Sequence, residues 1–293
     1  MLQKFQQGGT RVTKNQNNLP LKQPKISIIT VVFNSAAYLR GTIESVLNQS
    51  YPNYEYIIID GGSTDGTIEI IKEYEHRLDY WLSQSDRGIY DAMNKGIKLA
   101  QGQIIGILNS GDFYTSNALA EVVALAAESE ESKYLVITGA MYRFDEQTGI
   151  KFEQKRTEAD LERNINLGMP INHPATFITK NVYEKIGCFN PEFKICGDHD
   201  LIFRVYHSQL VDFIFTDHPL ASMSMGGVSE TLDSLWIRAK EKIKIRQNKL
   251  NLLHNIWLSG RILLVGWIKH FLIGIIGQKA VLIKHKIQQK IWS

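Results

Sequence analysis

YEYIIIDGGSTDGT, residues 54–67, is the stretch on which the fold turns. Tyr54–Asp60 is a run of aromatic and β-branched residues, the pattern of a strand buried on both faces. The run stops at a carboxylate. Gly61–Gly66 then carries turn chemistry, and apolar residues return at helical spacing from Thr67 to Tyr74. A buried strand that ends in a turn and feeds a helix is the repeating unit of an α/β domain.

The unit recurs on both sides of this stretch. Ile26–Phe33 (ISIITVVF) predicts another buried strand, followed by a helix over Tyr38–Leu47 with Leu39, Ile43, Val46 and Leu47 on one side. Downstream, Tyr80–Ser83 predicts a short strand, Ile89–Ala100 a helix closed at Gln101-Gly102, and Gln103–Leu108 a third buried strand. This alternation predicts an α/β domain with a mainly parallel sheet flanked by helices. Beyond it the pattern is mixed. Helices are expected at Ala118–Ala127, Asn181–Ile186 and Asp200–Tyr206, and strands at Leu135–Thr138, Ile150–Gln154, Ala175–Ile178 and Asp212–Phe215.

The composition, 44% hydrophobic and 22% charged, is that of a globular protein, and 293 residues are enough for one large domain or for one domain with an appendage. Its two cysteines, Cys188 and Cys196, are too few for a disulfide framework and read as free thiols. The net charge of +3 hides an asymmetry: from Lys242 onward there are ten Lys/Arg and no Asp/Glu, while the preceding part carries 23 against 30, a net of −7. A basic tail beside apolar residues points to an anionic membrane surface rather than to nucleic acid. Within Leu250–Gly277, Trp257, Trp267 and Phe271 are interrupted by Arg261, Lys269 and His270, so no clean run reaches the roughly 20 residues of a span. Two readings stand: interfacial amphipathic helices with Lys279, Lys284, Lys286 and Lys290 beside lipid, or a helical hairpin packed on protein. Residues 1–23 are Gln/Asn-rich without an apolar run, which predicts a disordered lead-in and no secretory signal. The expected map is lead-in 1–23, α/β domain 24–230, and basic, apolar C-terminal helices 231–293, with Met225–Ser229 as either a mobile loop or a linker.

Ligands of open α/β sheets bind outside the carboxyl ends of the strands, and three acidic signals fall there. Asp60 either accepts hydrogen bonds from a nucleoside or closes an Asp-Gly turn. Asp112, in Asn109-Ser110-Gly111-Asp112, either binds a divalent cation that also holds a diphosphate or caps the next helix. Asp198, in Gly197-Asp198-His199-Asp200, is either a general base or an N-cap, with His199 solvated or a metal ligand. Asp86, Asp91 and Lys95 make the helix start near Ser85–Gly96 unusually polar, suited to a nucleoside and phosphate or to a capped, solvated face. His173 precedes a strand and contacts either phosphate or acceptor, or a loop carbonyl.

Taken in order, ISIITVVFN, Leu47–Pro52, YIIIDGGSTDGT, GIYDAMNKGI, GQIIGILNSGD, NHPATF and GDHDLIFRV resemble the family 2 glycosyltransferases, over about Lys25 to Arg204. The forms DGGSTDGT, SDRGIYDAMNKGI and LNSGD look like the branch that builds bacterial surface polysaccharides. The resemblance implies a GT-A fold, Rossmann-like. It implies an inverting, hexosyltransferase-type enzyme that moves a sugar from a nucleotide-diphosphate donor to a glycan or lipid-linked acceptor. It places Asp60, Asp86, Asp91 and Lys95 at the donor nucleotide, Asp112 at a Mn²⁺ or Mg²⁺ ion, Asp198 as catalytic base, and His173 near donor phosphates or acceptor. The free thiols and the basic tail add the expectation of a cytoplasmic enzyme, peripheral on the inner face of a membrane. Gly61 and Gly111 stand where many members carry carboxylates, and Val32-Phe33 where Thr-Tyr is common.

Overall fold

The computed structural model describes residues 5–13, 24–129, 132–145, 149–225, 233–247, 249–251, 253, 255–260, 263, 264 and 267. Contacts divide the chain into two units, residues 1–144 with 151–225, and residues 145–150 with 226–293.

The first unit begins with β1 (Gln6–Gly8) and the single turn α1 (Thr10–Thr13). The α/β units follow: β2 (Ile26–Val32), α2 (Ala36–Leu47), β3 (Tyr54–Asp60), α3 (Thr67–Glu73), β4 (Tyr80–Ser83), α4 (Ile89–Leu99) and β5 (Ile104–Asn109). β2 lies at the centre, with parallel neighbours β3 and β5, and β4 is parallel to β3. All seven residues of β2 are buried, which is why its sequence lacks polar alternation. Leu39, Ile43 and Val46 of α2 pack into the core with Ile26, Ile28 and Ile58.

The second half extends the same sheet. It comprises β6 (Phe113–Tyr114), α5 (Ala118–Glu128), β7 (Leu135–Phe144), β8 (Lys151–Gln154), α6 (Glu158–Asn164), β9 (Thr176–Thr179), α7 (Lys180–Ile186), α8 (Gly197–Ser208) and β10 (Asp212–Ser224). The strand order is β1-β4-β3-β2-β5-β9-β7-β10-β6, with β8 beside β7. Pairings β5–β9, β9–β7 and β10–β6 are antiparallel, while β10 is parallel to β7.

The lead-in expected to be disordered over residues 1–23 needs correction at residues 5–13. β1 pairs antiparallel with β4 and covers that edge of the sheet. Arg11 of α1 is fixed by Glu55, a fully buried carboxylate at the start of β3, and donates to the Leu99 carbonyl at 2.9 Å. Lys25 stands 3.3 Å from the same carboxylate. A buried charge needs such partners, and they tie down a segment whose composition gives no sign of order. Residues 14–23 lie outside the described residues.

In the second unit, α9 (Asp233–Arg246) is followed by helical positions at 253, 255–260, 263, 264 and 267. Gly226–Ser229 and Lys279, Lys284, Lys286 and Lys290 lie outside the described residues. No described helix is long and apolar enough to cross a membrane.

Candidate active site

Because β2, β3, β4 and β5 are parallel, their carboxyl ends share one edge of the sheet. β9 runs antiparallel to β5, so the short helix that enters it, His173–Ala175, arrives at that edge. β7 and β10 end there as well. Topology alone therefore brings Asp60, Asp112 and His173 to one rim.

The rim loops are tied to each other. The Asn34 amide donates to Ser63 Oγ at 2.7 Å, the Ser35 amide to Thr67 Oγ1 at 2.9 Å, and the Thr64 amide to Asn34 Oδ1 at 2.9 Å. The Ser35 hydroxyl donates to Ser110 at 3.0 Å, joining the loop after β2 to the loop after β5. Asp60 is fully buried within this mesh. Its carboxylate accepts from the amides of Gly62 and Ser63 at 3.0 Å, from the Ser63 hydroxyl, and from the Ser83 hydroxyl at 2.6 Å. In this conformation Asp60 shapes the turn with both oxygens.

Asp86 is partly exposed and accepts from the Gly88 amide at 2.8 Å. A Cβ on Gly61 would stand 2.6 Å from Asp86 Oδ2, so the carboxylate of residue 86 occupies the space a side chain at 61 would need. Glycine at 61 follows from that close approach. Asp91 and Lys95 meet one another at 3.7 Å on α4. Asp91 also holds Arg87 at 3.0 Å, and Lys95 donates to the Ser85 carbonyl at 3.0 Å, so the pair braces the loop that presents Asp86.

Asp112 is buried at 6% exposure, two residues beyond the Ser110 contact. It does not cap α5, whose N-cap is Asn117. Burial raises its pKa to about 7, against the opposing pull of the Arg143 charge and a hydrogen bond from the Ser224 backbone. Among the described residues, no three His, Cys, Asp or Glu side chains cluster as a preformed metal site.

Asp198 sits in the first turn of α8, where the helix dipole favours negative charge; the N-cap is Cys196. Asp198 and His173 line one small cavity with Ile107, Thr176, Tyr183 and Phe189. Each acts on the other's titration. Burial raises Asp198 while His173 lowers it, and burial lowers His173 while Asp198 raises it. Asp198 Oδ1 accepts from the His199 amide at 2.7 Å.

Sequence reasoning missed Tyr90. Its hydroxyl donates to the Ile195 carbonyl at 2.7 Å and stands 3.4 Å from Asp198 Oδ1. Its ring stacks on Phe189 and lies 2.7 Å from where a Cβ on Gly197 would be. Glycine at 197 therefore lets the start of α8 close onto Tyr90, which fixes Asp198 in place. Arg143, beside Asp112, was missed as well; it lies on β7 beyond Thr138, where the expected strand ends. His199 is not solvated. It is buried, its Nε2 meets the Ile165 carbonyl at 2.6 Å, and its ring packs on Phe203.

A Rossmann-like sheet with acidic residues gathered at its carboxyl rim is the architecture of the GT-A glycosyltransferases. Glycosyl transferase family 2 matches residues 27–187, more than half of the chain, and the chain belongs to that family. It is a glycosyltransferase. Its relatives include an uncharacterized glycosyltransferase of Mycobacterium tuberculosis, 32% identical over 62% of this chain and 68% of that one. A PGL/p-HBAD biosynthesis glycosyltransferase of Mycobacterium bovis is 30% identical over 71% of this chain and 80% of that one. Among solved structures, the fold is similar to S. aureus TarS 1-349 in complex with UDP-GlcNAc, with TM-score 0.59, 19% identity, and 82% of this chain covered against 71% of that one. The chain spans 43% of the longer TarS structure. The Pyrobaculum calidifontis mannosyltransferase PcManGT, in complex with GDP-Man and Mn²⁺, also has TM-score 0.59, with 15% identity over 97% of this chain and 86% of that one.

Proposed function

We propose that this enzyme transfers a sugar, with inversion, from a nucleotide-diphosphate donor to a hydroxyl of a glycan or lipid-linked acceptor in polysaccharide assembly. The observation that carries the reading is the cavity shared by Asp198 and His173 on the rim that also bears Asp112. Asp198 is the base that removes the acceptor proton, a role worth about 10²–10⁴-fold. Burial, by raising its pKa, makes it a stronger base than an exposed aspartate. Tyr90 and the Gly197 approach position it. His173 faces the donor phosphates or the acceptor.

The donor nucleotide lies along the loops after β3 and β4, where Asp86 is the accessible carboxylate. Asp60 contributes by holding the turn beneath, and Asp91 with Lys95 by bracing the loop that carries Asp86. Asp112 suits a divalent cation delivered with the donor diphosphate. It is one buried carboxylate with a pKa of about 7, poorly stabilised as an anion by its present neighbours. Mg²⁺-type ions take one or two carboxylates and complete their shell with phosphate oxygens. When bound, the cation neutralises charge on the departing diphosphate. Through the basic C-terminal segment the enzyme sits on an anionic membrane surface, next to a lipid-linked acceptor. The relative named a PGL/p-HBAD biosynthesis glycosyltransferase supports a biosynthetic transfer.

A thermal-shift screen of nucleotide sugars with Mn²⁺ tests it, followed by transfer assays on whichever donors bind. We expect one nucleotide class to raise the melting temperature in a cation-dependent manner, because a ligand that binds only the native state stabilises it. Stabilisation by none, or equal stabilisation with chelator present, refutes the reading.

A further inference from the structure

The helical segment after α9 is inside out. Its buried side chains are Asn255, Leu258 and Ser259, at 1%, 5% and 4% exposure. Its exposed side chains are Leu253, Ile256, Trp257, Leu264 and Trp267, each more than half exposed. At about 100° per residue these five positions fall within about 100° of arc, and the three buried positions lie on the opposite side.

The inward polar groups have a purpose. Arg246, fully buried at the end of α9, donates to Asn255 Oδ1 at 2.9 Å and to Ser259 Oγ at 2.6 Å. Asn255 returns a bond to the Ile243 carbonyl at 2.9 Å. The guanidinium thereby fixes the rotation of the helix, and that rotation turns the apolar stripe outward. α9 itself exposes Trp236, Lys240 and Lys244 along one line. Water is a poor solvent for such a stripe, whose occupant must be apolar and, given ten Lys/Arg without one Asp/Glu from Lys242 onward, must carry negative charge at its surface.

We propose that Leu253, Ile256, Trp257, Leu264 and Trp267 form the face that inserts into an anionic lipid surface, oriented by the Arg246–Asn255–Ser259 network. This rests on the membrane reading given above and deepens it by naming the face. Tryptophan and leucine at the acyl boundary with lysines at headgroup level is the arrangement that holds interfacial helices in place.

The test is sedimentation of the full chain with vesicles of phosphatidylcholine mixed with phosphatidylglycerol, and with phosphatidylcholine alone. Wild type is compared with the triple variant Leu253→Gln, Trp257→Gln, Trp267→Gln, whose changes lie on exposed positions and leave transfer to a water-soluble acceptor unchanged. We expect wild type to bind the mixed vesicles in preference to the neutral ones, and the variant to lose about 100-fold in partitioning, from the apolar area removed. Wild type that ignores both vesicles overturns the membrane reading and this proposal together. Equal binding by wild type and variant overturns the face alone and leaves the membrane reading standing. If gel filtration instead shows a wild-type dimer that the variant breaks while neither protein binds vesicles, the stripe is a contact between copies and the proposal falls.

Discussion

Asp112→Asn separates burial from function at a buried carboxylate of the rim whose pKa burial raises. Raising a carboxylate from 3.8 to about 7 corresponds to about 4 kcal/mol of bias against its charged form. The sign follows from proton counting. Between those pH values the native protein holds a proton that the unfolded chain has released, so stability falls as pH rises from about 4 to about 7, and the loss is complete above that range. Asparagine keeps the shape and an acceptor for the Ser224 backbone but does not titrate. The variant should lie within about 1 kcal/mol of wild type near pH 4.5 and exceed it by up to about 4 kcal/mol at pH 8, roughly 10 °C in melting temperature. Urea midpoints of both proteins at the two pH values, without nucleotide or divalent cation, measure this. The same variant should lose the stabilisation that Mn²⁺ with a nucleoside diphosphate gives wild type, and with it transfer activity. A stability difference that does not change with pH refutes the reasoning, as does an asparagine variant less stable than wild type at pH 8.

Four further outcomes are expected. Asp198→Asn should lower turnover by at least about 10²-fold while calorimetry with nucleoside diphosphate and Mn²⁺ shows donor affinity retained; lost affinity would count against a base. Tyr90→Phe should cost about 1 kcal/mol of stability, from the lost bond to the Ile195 carbonyl, and reduce kcat more than KM changes; an unchanged kcat would remove Tyr90 from the positioning of Asp198. Arg11→Ala leaves Glu55 buried with Lys25 as its other cation and should destabilise by about 3 kcal/mol in urea unfolding; a cost under about 0.5 kcal/mol would show that the first strand contributes little. Gly61→Ala drives a Cβ against Asp86 Oδ2 at 2.6 Å and should weaken nucleotide binding more than it changes melting temperature; unaltered binding would place the nucleotide away from Asp86.

The parallel half of the fold was legible because its strands are buried on both faces. Ile26–Val32 and Tyr54–Asp60 are runs rich in β-branched and aromatic residues that end where the structure ends them, apart from Phe33, expected in the first strand but outside it. β10 was less legible. The expected Asp212–Phe215 is the start of a strand that runs to Ser224 through Asp217-His218-Pro219, residues that read as a break. The structure accommodates them with register shifts against β7 around Pro219. β1 was hidden for another reason: its order comes from Arg11 reaching Glu55, 44 residues away, a pairing that local composition does not encode. At the site, chain position at strand ends pointed to Asp60 and Asp112, whereas Asp198 starts α8 and meets the rim through the cavity it shares with His173. Their states were not readable. That Asp60 is closed over by Ser83, that Asp112 is held among Arg143 and Ser224, and that Tyr90 stands over Asp198 all depend on residues 23 to 112 positions apart meeting in space.

Crystals of the enzyme grown with its nucleotide sugar and Mn²⁺, measured at the manganese absorption edge, test the central claim most directly. The account predicts an anomalous peak at the Asp112 carboxylate, with the sugar's anomeric carbon facing Asp198. A peak elsewhere, or a sugar turned away from Asp198 with Asp112 bare, would contradict it.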